Sequence, residues 1–167
     1  MAELLYTERL QPSLLDRLTD NNPDKQVESR EQRVLSGRQL RQSVLRDLTW
    51  LLNTAALDSC VDLSELPDAE HSVINYGILT FSGAHLTGAD LPKIERKIKQ
   101  AIMDFEPRIT PGSLKVEVIS SEEHMNQHAM SFKIEGDLWA QPLPVHLYIR
   151  SELDLETGEA TIKDLGG

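Results

Sequence analysis

The chain has 167 residues, with 27 Asp+Glu against 17 Lys+Arg and a net charge of −10 at pH 7. That length suits one domain with an appendage, and that charge opposes generic attraction to nucleic-acid phosphates or anionic lipid. With 40% hydrophobic and 26% charged residues, the composition is globular, neither disordered nor membrane-spanning. A domain of about 150 residues buries roughly 68–70% of its extended-chain surface, enough to fold without a metal or a disulfide. The single Cys60 forms no intramolecular bridge. Another protein is the expected partner, with no nucleic acid and no direct membrane insertion.

The first residues, Met1-Ala2-Glu3-Leu4-Leu5-Tyr6, lack the basic start of an export signal. No apolar run approaches the roughly 18 residues of a membrane span. The expected location is a reducing, cytoplasmic compartment.

Leu10, Leu14, Leu15 and Leu18 recur at helical spacing within 7–18 and predict a short amphipathic helix. Residues 20–33, punctuated by Pro23, read as a mobile linker, so the expected division is 1–33, helix and linker, and 34–167, the main domain. A second helix is expected from about Ser36 to Asn53, with Leu40, Val44, Leu48, Leu51 and Leu52 on one stripe. Arg30, Arg33, Arg38, Arg41 and Arg46 form a basic stretch there, interleaved with Glu28, Glu31 and Asp47. It reads either as a solvated helix face or as an interface, where arginine is enriched. Asp58, Asp62, Glu65, Asp68 and Glu70 mark an acidic, solvated connector, and Asn75-Tyr76-Gly77 and Ser82-Gly83 mark turns.

The strongest helix signal is Leu91, Ile94, Ile98, Ala101, Ile102 and Phe105, with Asp90 as N-cap, Pro92 in the first turn and Pro107 as the stop. After Pro111-Gly112 the period becomes two: Leu114, Val116, Val118; Met130, Phe132, Ile134; Leu143, Val145, Leu147, Ile149; Ala160, Ile162, with a turn at Glu156-Thr157-Gly158. The fold class predicted is α+β: N-terminal helices, then one long amphipathic helix packed on a small, mostly antiparallel β-meander.

Catalytic signatures are sparse. His124 and His128 have the four-residue spacing of a helical metal pair, but the glutamate of a zinc-hydrolase helix is missing and no motif places a third ligand. His71, His85 and His146 are scattered. Cys60 lies between Asp58 and Asp62, which disfavour a reactive thiolate, so a buried structural thiol is expected. No Gly-rich phosphate cradle precedes a helix, and Gly166-Gly167 reads as a frayed end. No catalytic residue, cofactor or metal is assigned.

Phe105-Glu106-Pro107-Arg108 resists a bland explanation. Glu106 stands at the helix C-terminus, where the macrodipole opposes a carboxylate by about 0.3–1 kcal/mol. Such a charge implies a partner: either Arg108, as a surface ion pair, or a neighbouring subunit reached by both side chains. A glycosidase acid at Glu106 is the chemical alternative. It requires burial that favours the protonated form and a second placed carboxylate, and a neighbouring guanidinium works the other way.

These residues carry a resemblance. Glu8 to Leu18, Arg46-Asp47-Leu48-Thr49-Trp50-Leu51-Leu52-Asn53-Thr54, Ser72 to Gly77, Phe105-Glu106-Pro107-Arg108-Ile109, Ile134-Glu135-Gly136 and Ile149 to Asp154 occur in order over nearly the whole chain. Together they resemble TssE, the type VI secretion baseplate subunit similar to the wedge protein of contractile phage tails. The resemblance implies a structural, non-enzymatic bacterial protein, despite the "lysozyme-like" label often given to phage relatives. The implied partners are other wedge subunits (TssF-, TssG- and TssK-type) and sheath subunits (TssB/TssC-type) at the cytoplasmic, inner-membrane-associated baseplate. The implied protein-binding residues are Glu106, Pro107 and Arg108, and sheath docking is implied to proceed by strand exchange. A cell-wall glycoside hydrolase and a small cytosolic adaptor of the same fold are the alternatives.

Overall fold

A computed structural model of the chain describes residues 12–19, 23–24, 35–80, 90–119, 129–140 and 144–166. Four helices, α1 (Leu14–Leu18), α2 (Gly37–Leu52), α3 (Pro67–Glu70) and α4 (Leu91–Phe105), precede strands β1 (Lys115–Ile119), β2 (Ala129–Leu138), β3 (Val145–Asp154) and β4 (Ala160–Asp164). The strands form one antiparallel sheet in the order β1-β2-β3-β4. The α+β meander expected from the change of period is therefore the observed fold. Most of the 20–33 linker, Ser82-Gly83, His85, His124, His128 and Leu143 lie outside the described residues.

Helix α2 starts where a capping box starts it. Gln39 N–H donates to Ser36 Oγ, and Ser36 N–H donates back to Gln39 Oε1 at 2.9 Å, so two otherwise orphaned donors are satisfied. Its leucine stripe and the Ile94, Ile98, Ile102 stripe of α4 both pack on one face of the sheet. They meet Met130, Phe132, Ile134 and Leu138 of β2 and Leu147, Ile149 and Leu153 of β3. Alternation of the pleat sends Lys133, Glu135, Tyr148 and Arg150 to the opposite face. Each fully buried Leu or Ile contributes about 1.5–3 kcal/mol, so this two-layer interior is the main source of stability.

Several local expectations change. Asp90 stands at the N-cap of α4, but its backbone is already αR and its side chain makes no capping bond. The acidic connector is more ordered than a solvated loop. It holds a 3-10 turn at Leu57–Ser59 and helix α3, Leu63 is 5% exposed, and Asp58 meets Lys97 at 3.0 Å. At the expected turn, positive φ falls on Gly77 and not on Asn75. Asn75 is buried, accepts from Asp58 N–H and donates to Glu70 C=O, both at 2.9 Å, which stitches the segment together. Gly77 has φ 135°, and a Cβ there would collide with the backbone of Thr54 to Ala56. That close approach lets Ala56 N–H reach Ile78 C=O at 2.9 Å.

Cys60 is exposed rather than buried: it ends the 3-10 turn, and the residues that enter the interior on either side are Ala56 and Leu63. The leucines of α1 also face outward, with Leu14 71% and Leu18 74% exposed. Polar contacts hold this helix instead.

Candidate functional site

The Glu-Pro-Arg turn begins where α4 stops. Glu106 is the C-cap residue, its N–H bound to Ile102 C=O at 2.8 Å, and Pro107 has no N–H with which to continue the helix. The chain then runs beside the end of β2. Trp139 N–H donates to Arg108 C=O at 2.7 Å, and Thr110 N–H donates to Asp137 C=O at 2.9 Å. Ile109 bridges to Leu138, and a Cβ on Gly136 would lie 2.9 Å from the Ile109 side chain. The Ile-Glu-Gly block in β2 thus provides the seat for the residue that follows Glu-Pro-Arg.

This backbone fixes the two charges against each other. Glu106 is 3% exposed, and both its carboxylate oxygens accept from the Arg108 guanidinium, Oε1 from Nε at 2.6 Å and Oε2 from Nη2. Oε1 also accepts from Arg108 N–H at 3.2 Å. The paired, planar contact is the strong form of such an interaction. The rest of the fork reaches α2: Nη2 donates to Asp47 Oδ2 at 2.5 Å and Nη1 donates to Ser43 Oγ at 2.9 Å. Burial alone works against a charged guanidinium, and Glu106 and then Asp47 more than offset it, holding Arg108 above its ordinary value. Burial, with the charges of Asp47 and Glu106, pushes up the phenol of Tyr76, whose ring meets Phe105 edge-on at 5.2 Å.

The network continues to the N-terminal helix. Ser43 Oγ donates to Asp16 Oδ2 at 2.8 Å, and Arg46 donates to Asp16 Oδ1 at 2.5 Å and to Asp47 Oδ1 at 2.9 Å. The Arg46 hydrogen bond, with those of Ser13 and Ser43, holds the Asp16 carboxyl well below the usual carboxylate range against the opposing effect of burial. Arg46 lies 5.0 Å from the centroid of the half-exposed Trp50 ring. One continuous set of polar side chains therefore joins α1, α2 and the turn after α4.

Of the implied protein-binding residues, Glu106 is interior, Pro107 is exposed and Arg108 is about one fifth exposed at its side chain. The partner that the misplaced helix-end carboxylate demanded is Arg108 of the same chain. Sequence reading did not place Asp16 or Ser43 in this site. Ser43 carried a usable signal, because it lies three residues after Leu40 on the buried stripe of α2, where a hydroxyl needs a partner.

Chemically, the arrangement organises structure. Both oxygens of the interior Glu106 accept from Arg108. His71 and His146 each meet one aspartate, Asp104 and Asp137, at 2.8 Å.

Family comparison covers the same residues. The model for the baseplate wedge protein gp25 matches residues 38–143, more than half of the chain, from the start of α2 through the Glu-Pro-Arg turn and β2. No individual curated protein matches. The matched span contains Ser43, Asp47, Glu106 and Arg108, and by this match the chain belongs to the family of baseplate wedge protein gp25.

Proposed function

We propose that this chain is the wedge subunit of a type VI secretion baseplate, joined to other wedge subunits through the Glu106-Pro107-Arg108 turn and seating the first sheath subunits on a sheet edge. The observation that carries the reading is membership of the baseplate wedge family, which supports a phage-tail-like structural role. The order of blocks resembling TssE supports the secretion-system assignment, with TssF-, TssG- and TssK-type neighbours and TssB/TssC-type sheath partners at the cytoplasmic side of the inner membrane. No helix among the described residues is long and apolar enough to cross a membrane.

The sheet's shape suits strand addition. Edge strands β1 and β4 have five residues each, against ten in β2 and β3. Leu165 N–H donates to Tyr148 C=O, and Asp154 N–H donates to Glu159 C=O, which fixes the phase of the β3-β4 ladder. By that phase the backbone groups of Ala160, Ile162 and Asp164 point away from β3. Those of Ala160 are already closed by the Asn53 side-chain amide, donating and accepting at 2.9 Å. On the other edge, Glu95 accepts from Val118 N–H at 2.8 Å. The backbones of Ile162 and Asp164 remain as places where a partner strand pairs.

The turn supports the wedge contact by fixing α2 relative to the sheet, which positions Arg46, Trp50 and the exposed end of Arg108 together. Coexpression and affinity capture with the other wedge and sheath subunits tests the reading. Wild-type chain is expected to capture both groups. Ile162→Pro removes no ladder bond, so it should stay folded and lose sheath capture. Arg108→Lys should lower wedge capture more than melting temperature. Capture of neither group, or clearing of a peptidoglycan suspension by the wild-type chain, would overturn the assignment, the second in favour of the hydrolase alternative.

A further inference from the structure

The sheet face turned away from the helices carries an arrangement that folding alone does not favour. Strand register places Glu117, Lys133, Arg150 and Lys163 in one row across all four strands. Three neighbouring cations in a chain of net charge −10 run against composition, and like charges directly opposite one another destabilise a sheet.

The row is neutralised at one end only. Lys133 Nζ meets Glu135 at 2.7 Å and Glu117 at 3.9 Å, and lies 5.3 Å from the Tyr148 ring centroid. Arg150 and Lys163, paired across β3 and β4, are both exposed and have no ion-pair partner among the described residues. On the opposite face, Arg41 and Arg108 each hold a carboxylate. Here no carboxylate among the described residues forms an ion pair with Arg150 or Lys163, although Glu152 stands two residues from Arg150 on the same face.

We propose that the Arg150–Lys163 pair on the open sheet face docks a carboxylate-bearing segment of a partner protein, whose acidic side chains complete the row as Glu117 does at the β1 end. Charge complementarity selects this occupant. Arg150 supplies a planar fork for a carboxylate and Lys163 a point charge beside it. The strong negative charge of the rest of the molecule disfavours a nucleic acid, and selects a short acidic segment over a broadly acidic surface. This face is distinct from the Glu-Pro-Arg turn and adjoins the β4 edge, since Lys163 follows Ile162 on that strand.

The test uses the full-length chain and a fluorescein-labelled deca-glutamate peptide, with binding read by fluorescence anisotropy at low salt. Wild-type chain should bind with an affinity that falls as salt rises. Arg150→Glu/Lys163→Glu should bind about tenfold more weakly or worse, because two ion pairs become repulsions. Lys93→Glu, which alters an exposed cation on α4, should stay within about twofold on the same reasoning. The double variant should melt close to wild type, because the repulsion between positions 150 and 163 only changes sign of charge, while that between Lys133 and position 150 becomes an attraction. If it does not fold, Arg150→Gln/Lys163→Gln gives the same comparison without reversal. Absence of binding, equal binding by the double variant, or an equal loss in Lys93→Glu overturns the proposal. Tighter binding of an oligothymidylate of equal charge overturns it in favour of a nucleic-acid surface.

Discussion

Two polar regions of this molecule use similar residues under opposite conditions. The network around Glu106 and Arg108 lies between α2 and the turn after α4, with Glu106 3% exposed and each charge met by an opposite charge or a hydroxyl. Arg150 and Lys163 of the row on the outer sheet face are exposed and oppose each other with no ion-pair partner among the described residues. Inside, an unpaired charge would be intolerable, so the chain supplies every partner itself. Outside, water screens the repulsion, and an incomplete row persists at small cost. Saturated charges set geometry, and unsaturated ones remain for another molecule.

The comparison is broken most severely at Glu106. Glu106→Gln leaves the Arg108 guanidinium with only Asp47 as an anionic partner, and removal of one member of a buried pair costs about 3–5 kcal/mol. Urea denaturation should show this as a lower midpoint with an unchanged slope. A loss below about 1 kcal/mol would mean that the pair is solvated after all.

Acid tests the outer limb of the network. The folded pKa of Asp16 is lowered, chiefly by Arg46, so its contribution is fully present above the ordinary value of 3.8 and is lost as pH falls through the lower folded value. Below that window, α1 should detach while α2, α4 and the sheet persist. Trp50, beside Arg46, reports the change in a Trp139→Phe background: its fluorescence should move in acid, and an Asp16→Asn variant should show the moved signal already at neutral pH. Identical titrations for both chains would remove Asp16 from the latch.

The smallest effect belongs to the open face. Glu117→Gln deletes the anion 3.9 Å from Lys133, yet Glu135 remains at 2.7 Å. Stability should therefore change by less than about 0.5 kcal/mol in thermal melts. A large loss would show the row to be as interdependent as the interior network.

Much of the fold was legible because periodicity is local. The α2 stripe from Leu40 to Leu52, the Ile94, Ile98, Ile102 stripe and the period-two runs after Pro111 all correspond to observed elements. The turn at Asp154 to Gly158 was legible for the same reason, since Asp154 Oδ1 accepts from Glu156 N–H and Thr157 N–H within the turn itself. The Glu-Pro-Arg turn stood out because a carboxylate at a helix C-terminus conflicts with the macrodipole. Its completion did not, since Ser43 and Asp47 lie 65 and 61 residues from Arg108.

The amino-acid sequence by itself determined the order and kind of the main elements, the position of the turn and membership among baseplate wedge proteins, because propensity, capping and motif spacing act over a few residues. Tertiary structure alone decided that Arg108 answers Glu106 and Asp47 together and that α1 turns its leucines outward while Asp16 holds it. It also decided that Lys133, Arg150 and Lys163 stand in one row. Each of these depends on which distant segments the packing of the two layers and the strand register bring together, and electrostatic pairing acts only across the distances that this packing sets.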